Sequence, residues 1–179
     1  ANENADLHIY RLTDDYLDIA ALEKILWAGQ KREAPAVVKR GDYYFLISSG
    51  CTGWEPNQGK YAYSTSITGQ WSDLKDLGSP TTFDTQPTYI ITIAGTKKTT
   101  YLYVGDRWNP SHYHQSTYAF LPLEFPSDTS LTLKWASSIV VDLETGEVET
   151  EVVDTGLHRL QINARYLDLV DGKVQASRL

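Results

Sequence analysis

The chain has 179 residues, 41% of them hydrophobic and 22% charged, the composition of a folded domain or of part of a larger one, and far from that of a disordered segment. Its formal net charge is −7, so no basic stripe is available to neutralise phosphates, and a neutral ligand is expected in place of nucleic acid. A single cysteine, Cys51, excludes an internal disulfide and a cysteine-based zinc site, and no run approaches the ~18 apolar residues of a membrane span.

The chain opens "ANENADLHIYRL" and contains no methionine, which reads as a processed or truncated piece whose upstream part lies elsewhere. "DLHIYRL" alternates Leu7 and Ile9 with His8 and Tyr10, the period of a half-buried strand. "DYLDIAALEKILWAGQ" is compatible both with a short helix over Ile19–Ile25 and with a strand and loop. A regular series follows: "APAVVKR", a turn at Arg40-Gly41-Asp42, "YYFLISS", the loop "GCTGWEPNQG", "KYAYSTS", a turn at "ITGQ", and a weaker edge strand in "WSDLKDLG". The series then starts again with "QPTYIITIAG", a turn at "TKK", "TTYLYVGD", the loop "RWNPSHYHQ", "STYAFLPL", the loop "EFPSDTS" and "LTLKWAS".

Glu33 opens the first set and Gln86 the second, 53 residues later. Four antiparallel strands recurring every ~40–50 residues are the signature of β-propeller blades. A β-sandwich also produces short strands at even spacing, but the matched order of strand, tight turn, strand and long Trp-bearing loop favours the propeller. The expected fold is therefore all-β: about two full four-stranded blades plus flanking strands. The ring would be incomplete, since closure needs at least four blades. After Trp135 the pattern changes. Residues 137–179 read as an acidic hairpin around Thr145-Gly146 and further strands with a turn at Asp171-Gly172, either a last blade or the start of an appended β-domain, set apart from a partial propeller over 1–136.

The segments "REAPAVVKRGDYYFLISSGCTGWEPN", "TTFDTQPTYIITIAG" and "YLYVGDRWNP" resemble the second half of a glycoside hydrolase family 43 catalytic domain. They are most similar to the branch that holds exo-β-1,3-galactanases and related galactosidase and arabinofuranosidase-like enzymes. The resemblance runs from about Ala5 to Trp135 and implies a five-bladed propeller with its active site in the central funnel. It also implies an exo-acting, inverting glycosidase that needs no cofactor and releases terminal galactose from β-1,3-galactan-type polysaccharide. Arabinofuranosidase or xylosidase activity, or a non-catalytic carbohydrate-binding propeller, is the alternative. A plant-type polysaccharide or oligosaccharide as substrate, a secreted, periplasmic or cell-surface location, and upstream blades of the same protein as partners follow from the same resemblance.

The resemblance assigns catalytic roles to Glu33 and Gln86. Glu33 stands where the family places the general acid, a carboxyl that must stay protonated to serve the departing glycosidic oxygen; the competing reading is a surface carboxylate paired with Arg32 or Lys31. Inverting hydrolysis also needs a group that acts on water at the opposite face. In the galactanase branch the usual base is missing and a glutamine heads the next blade, where Gln86 stands. An amide is a poor base, so Gln86 is expected to position water or sugar. Thr52, Trp54 and Asn57 in the first long loop, and Asp106, Arg107 and Trp108 at the second, are candidate substrate-binding residues, with Trp54 as a stacking face. Asp106 and Arg107 are also expected to pair and fix the loop. Cys51 reads as a small buried residue, His112 and His114 as surface histidines, and no metal site is expected.

Overall fold

The computed structural model describes residues 3–153, 159–163, 167–170 and 173–176. The architecture is all-β, its strands gathered into several sheets that are almost wholly antiparallel. β1 (Leu7–Leu12) and β2 (Ile19–Leu26) form an antiparallel pair, Leu7 opposite Leu26. The stretch compatible with helix or strand is therefore a strand. Leu7 and Leu26 are buried with Leu46, Ala62 and Trp71 in one cluster, and that contact across the pair outweighs the weak local preference for helix. Trp27 ends the strand at φ 46°.

Two four-stranded sheets follow, each taking its strands in chain order. The first contains β3 (Arg32–Arg40), β4 (Tyr43–Gly50), β5 (Gly59–Ser64) and β6 (Lys75–Leu77). The second contains β7 (Gln86–Ala94), β8 (Thr99–Arg107), β9 (Thr117–Ser127) and β10 (Ser130–Leu133). The β3–β4 turn is two residues long, and Gly41 supplies its positive φ of 57°, a conformation that costs glycine little. No strand from 32 to 133 crosses between the two sheets, as a Greek-key sandwich would require.

Side-chain alternation explains the packing. Phe45 and Ile47 on one face of β4 join Ala36, Val38 and Tyr61 against Ile90, Tyr103 and Leu121 of the second sheet. Leu46, on the other face of β4, packs towards Leu7 and Leu26 of the β1–β2 pair. The first sheet is thus covered on both sides, which is why β4 is buried from Phe45 to Ser49. β3 and β7 run next to each other, so the residues that head them meet.

Beyond Trp135, β11 (Ser138–Asp142) and β12 (Val148–Glu151) make the expected hairpin, with Gly146 at φ 76°. β13 (Arg159–Asn163) pairs with β11 in parallel. β14 (Leu167–Val170) and β15 (Lys173–Ala176) pair antiparallel; the expected Asp171-Gly172 turn lies outside the described residues. Ile139 and Val141 enter the same core as the two four-stranded sheets. The β11–β12 turn is also tied to the start of β8, where the Thr100 hydroxyl donates to the Gly146 carbonyl at 2.6 Å. Among the described residues no helix is long and apolar enough to cross a membrane.

Candidate active site

β3 and β7 each carry a proline near their start, Pro35 and Pro87, and each strand is irregular there. The register shifts between Glu33 and Ala36 in β3, and between Pro87 and Tyr89 in β7. Proline has no N–H to give to a ladder, so it sits at a bulge, and a bulge re-aims the neighbouring side chain. Ala34, at φ 50°, completes the local distortion that turns Glu33 away from an ordinary strand position. Arg32 points elsewhere: it is buried, its Nε donates to the Ser48 hydroxyl at 3.1 Å, and its Nη2 donates to the Ser48 carbonyl. Burial pulls the Arg32 guanidinium below the usual arginine value. A Glu33–Arg32 ion pair is not formed.

Glu33 instead meets Gln86. The Gln86 amide Nε2 donates to Glu33 Oε1 at 3.1 Å and lies 3.1 Å from the Ser49 hydroxyl, while Trp108 Nε1 donates to Gln86 Oε1 at 3.0 Å. Four residues from two sheets and one loop therefore form one hydrogen-bonded group.

The chain entering β7 is under strain. Thr82, Phe83 and Asp84 all have positive φ, at 51°, 59° and 58°, where a side chain costs energy. Hydrogen bonds hold it there. Buried Thr82 accepts the Gly59 N–H at 2.5 Å and donates to the Asn57 carbonyl at 2.8 Å. The Thr85 hydroxyl lies 2.6 Å from the Thr82 carbonyl and 2.7 Å from the Tyr103 hydroxyl. Burial pushes the Tyr103 phenol far above its ordinary value, so it remains a neutral partner. A Cβ at Gly105 would sit 2.7 Å from the Thr85 Cβ, so only glycine fits behind this brace.

Arg107 belongs to the same support. Its Nη2 donates to the Phe83 carbonyl at 3.1 Å, and its guanidinium lies 4.9 Å from the Trp135 ring centre. The expected pairing with Asp106 is not formed, because neighbours on a strand face opposite sides. Asp106 stands across from Gln86 in the β7–β8 register and, with Asp84, lines a small cleft of ≈ 80 Å³ beneath Trp54. Thr52 and Asn57 are engaged within their own loop. Asn57 holds the N–H and carbonyl of Gly50 at 2.7 and 3.0 Å, and its Nδ2 donates to the Thr52 hydroxyl at 2.7 Å. The Thr52 hydroxyl donates to the Glu55 carbonyl at 2.5 Å. These bonds shape the loop that carries Trp54.

Above Glu33 and Gln86 opens a basin of ≈ 480 Å³ walled by Trp54, Trp108 and Tyr113, within the size range of small-molecule sites. Tyr113 stacks on Trp108 with ring centres 5.6 Å apart and planes at 17°, and Trp54 meets both edge-on. Two members of this site, Ser49 and Tyr113, are absent from the residues singled out in the sequence. Tyr113 shares its loop with Trp108, a usable signal; Ser49 gives none, because only the sheet contact brings it to Gln86. His112 and His114 flank Tyr113 and are exposed. Among the described residues no group of three or more His, Cys, Asp or Glu could hold a metal ion. Cys51 is half-buried beside Glu33, and both burial and that carboxylate push its thiol up, which disfavours the reactive thiolate.

An exo-β-1,3-galactanase from Clostridium thermocellum superposes on this fold with a TM-score of 0.80 and 49% sequence identity, over 87% of this chain and 34% of that one. A family 43 β-1,3-galactosidase matches at 38% identity and a TM-score of 0.68, over 74% of this chain and 29% of its own. The chain is similar to part of the family 43 β-1,3-galactanases. A second exo-β-1,3-galactanase, from Phanerochaete chrysosporium and solved with β-1,3-galactotriose, shares 29% identity at a TM-score of 0.72, over 83% of this chain and 34% of that one. The chain thus spans about a third of the length of these family 43 structures. No family model matches the sequence, and no curated protein matches it.

Proposed function

We propose that the whole protein is an exo-acting, inverting family 43 glycosidase that releases terminal galactose from β-1,3-galactan, with the two four-stranded sheets as consecutive blades of a five-bladed propeller. The sheet β11–β13, which shares their core, continues the stack as the next blade. The observation that carries the reading is the Glu33–Gln86 contact at 3.1 Å on the floor of a basin walled by three aromatic rings. A lectin needs the rings but does not depend on a carboxyl in that position.

In this reading a terminal galactose lies on the aromatic wall, an arrangement that suits the apolar face of a pyranose. Glu33 gives a proton to the glycosidic oxygen as the bond from that oxygen to the anomeric carbon breaks, and its electron pair leaves with the oxygen. Water attacks the anomeric carbon from the opposite face, and Gln86 orients it through the lone pair that Trp108 leaves free on Oε1. The amide is too weak a base to retain the water's proton, which passes to solvent; Glu33 is reprotonated from solvent. Asp106 lines the cleft next to Gln86, where it can accept from a sugar hydroxyl. No cofactor enters these steps. A polymeric substrate of this kind lies outside the cell, which fits a secreted or surface-held protein.

The test is galactose release from β-1,3-galactotriose by the full-length protein, followed by proton NMR. The expected first product is α-galactose, because attack from the far side inverts a β-linkage. Trp54→Ala should weaken sugar binding by about 1–2 kcal/mol, the scale of an aromatic contact together with some lost burial. Binding without release would mark a carbohydrate-binding protein, and β-galactose as first product would exclude inversion.

A further inference from the structure

We propose that Trp108, through its indole N–H, is the positioning residue that fixes the orientation of the Gln86 amide, and so decides which oxygen of Glu33 carries the catalytic proton. The inference rests on the proposed hydrolysis and adds a role that sugar stacking does not give to Trp108.

The two ends of a glutamine amide have nearly the same shape but opposite hydrogen-bonding character: the oxygen accepts two bonds and the nitrogen donates two. Its neighbours decide which end points where. The Ser49 hydroxyl can both donate and accept, so it is compatible with either orientation. The Glu33 carboxyl accepts when ionised but can also donate when protonated. Only Trp108 is unambiguous, because an indole N–H donates and never accepts. At 3.0 Å from the amide it requires Oε1 to face it. Nε2 must then face Glu33 and Ser49, both at 3.1 Å.

Two consequences follow for the reaction. Oε1 of Glu33 receives an N–H from Gln86, so the acid proton sits on Oε2, the oxygen free to turn to the glycosidic bond. Both amide hydrogens of Gln86 are occupied, so its one remaining capacity is the second lone pair on Oε1, which can hold only a donor such as water. Without the indole N–H the amide can turn over. Oε1 would then face Glu33 and take up its O–H as an internal hydrogen bond, withdrawing both the acid proton and the water site together. Tyr113 stacks on the Trp108 ring at 5.6 Å and holds the indole plane in the donating position.

The decisive variant is Trp108→Phe in the full-length protein, which keeps an aromatic ring against Tyr113 and removes the N–H. On β-1,3-galactotriose, kcat should fall about tenfold, the scale of one neutral hydrogen bond, while KM stays within about twofold because the ring still meets the sugar. In a Gln86→Ala background the same substitution should leave kcat unchanged, since Trp108 acts through the amide. Replacing Trp108 with benzothienylalanine, the same bicycle with sulfur for N–H, should reproduce the loss without any change of ring size. A raised KM at constant kcat, or an equal loss in the Gln86→Ala background, would overturn the inference and leave Trp108 a sugar platform. A separate readout does not depend on turnover. In protein labelled with 15N at glutamine, the Gln86 side-chain protons should exchange with solvent at least about tenfold faster in Trp108→Phe than in the parent. Unchanged exchange would overturn the inference. If the parent releases no galactose while exchange responds as expected, it is the proposed function that fails.

Discussion

The sheets β3–β6 and β7–β10 share one plan: four strands in sequence, an irregular first strand carrying a proline, and a long Trp-bearing loop after the second strand. They differ in what heads the first strand and in how that head is held. Glu33 precedes a single bulge and lies between two separate positive-φ residues, Lys31 and Ala34, and its side chain reaches out to the neighbouring sheet. Gln86 stands after three successive positive-φ residues, braced by Thr82, Thr85, Tyr103 and Arg107. A proton donor must move a proton and tolerates some freedom. In the proposed hydrolysis an amide that orients a neighbour works only while its own position is fixed, which accounts for the heavier support under the glutamine.

The largest effect should come from exchanging the chemistry of the two heads. In the full-length protein Glu33→Gln should lower turnover of β-1,3-galactan by about 100-fold or more, and far less on an aryl β-galactoside whose leaving group needs little protonation. Gln86→Ala should lower both rates by a similar factor, because water attack is common to both substrates. Steady-state kinetics on the pair of substrates separates the roles, and equal losses for Glu33→Gln on both would remove it from the acid's place.

The asymmetry of support should be visible in stability. Thr82→Val keeps the shape but leaves the Gly59 N–H and the Asn57 carbonyl without their buried partner, at a cost of about 2 kcal/mol in urea unfolding. Ser49→Ala beside Glu33 removes a bond that Gln86 can replace with water and should cost less than half as much. A larger loss at Ser49 than at Thr82 would reverse the comparison.

The smallest effect concerns Cys51, which reports the charge on the first head. Burial, first, and the Glu33 carboxylate, second, raise its thiol. At a fixed pH near 8 the thiolate fraction is therefore below that of a free cysteine, and iodoacetamide should react with it more slowly. Glu33→Gln removes the opposing charge, lowers the thiol again and should speed alkylation a few-fold; a rate independent of Glu33 would mean that the two groups do not interact.

The strands themselves were legible in the sequence because their cause is local. Alternating apolar residues, the turn at Gly41 and the repeated order of strands and loops depend on neighbours close along the chain, and Glu33 and Gln86 emerge as equivalent heads from that order. The conformation of 19–26 was not legible, since burial of Leu26 against Leu7 decides between strand and helix there. Adjacent Asp106 and Arg107 suggest a pair in the sequence, but alternation along β8 sends one side chain to the small cleft and the other to the Phe83 carbonyl. The bonds that Thr52 and Asn57 make within their own loop follow from its folded shape and were not legible either. The polarity of the site belongs wholly to the tertiary structure. Glu33, Ser49, Gln86 and Trp108 are distant in sequence, and which end of the amide faces which partner is decided only when packing of β3 against β7 brings an indole that can only donate to one side of Gln86 and a carboxyl group to the other.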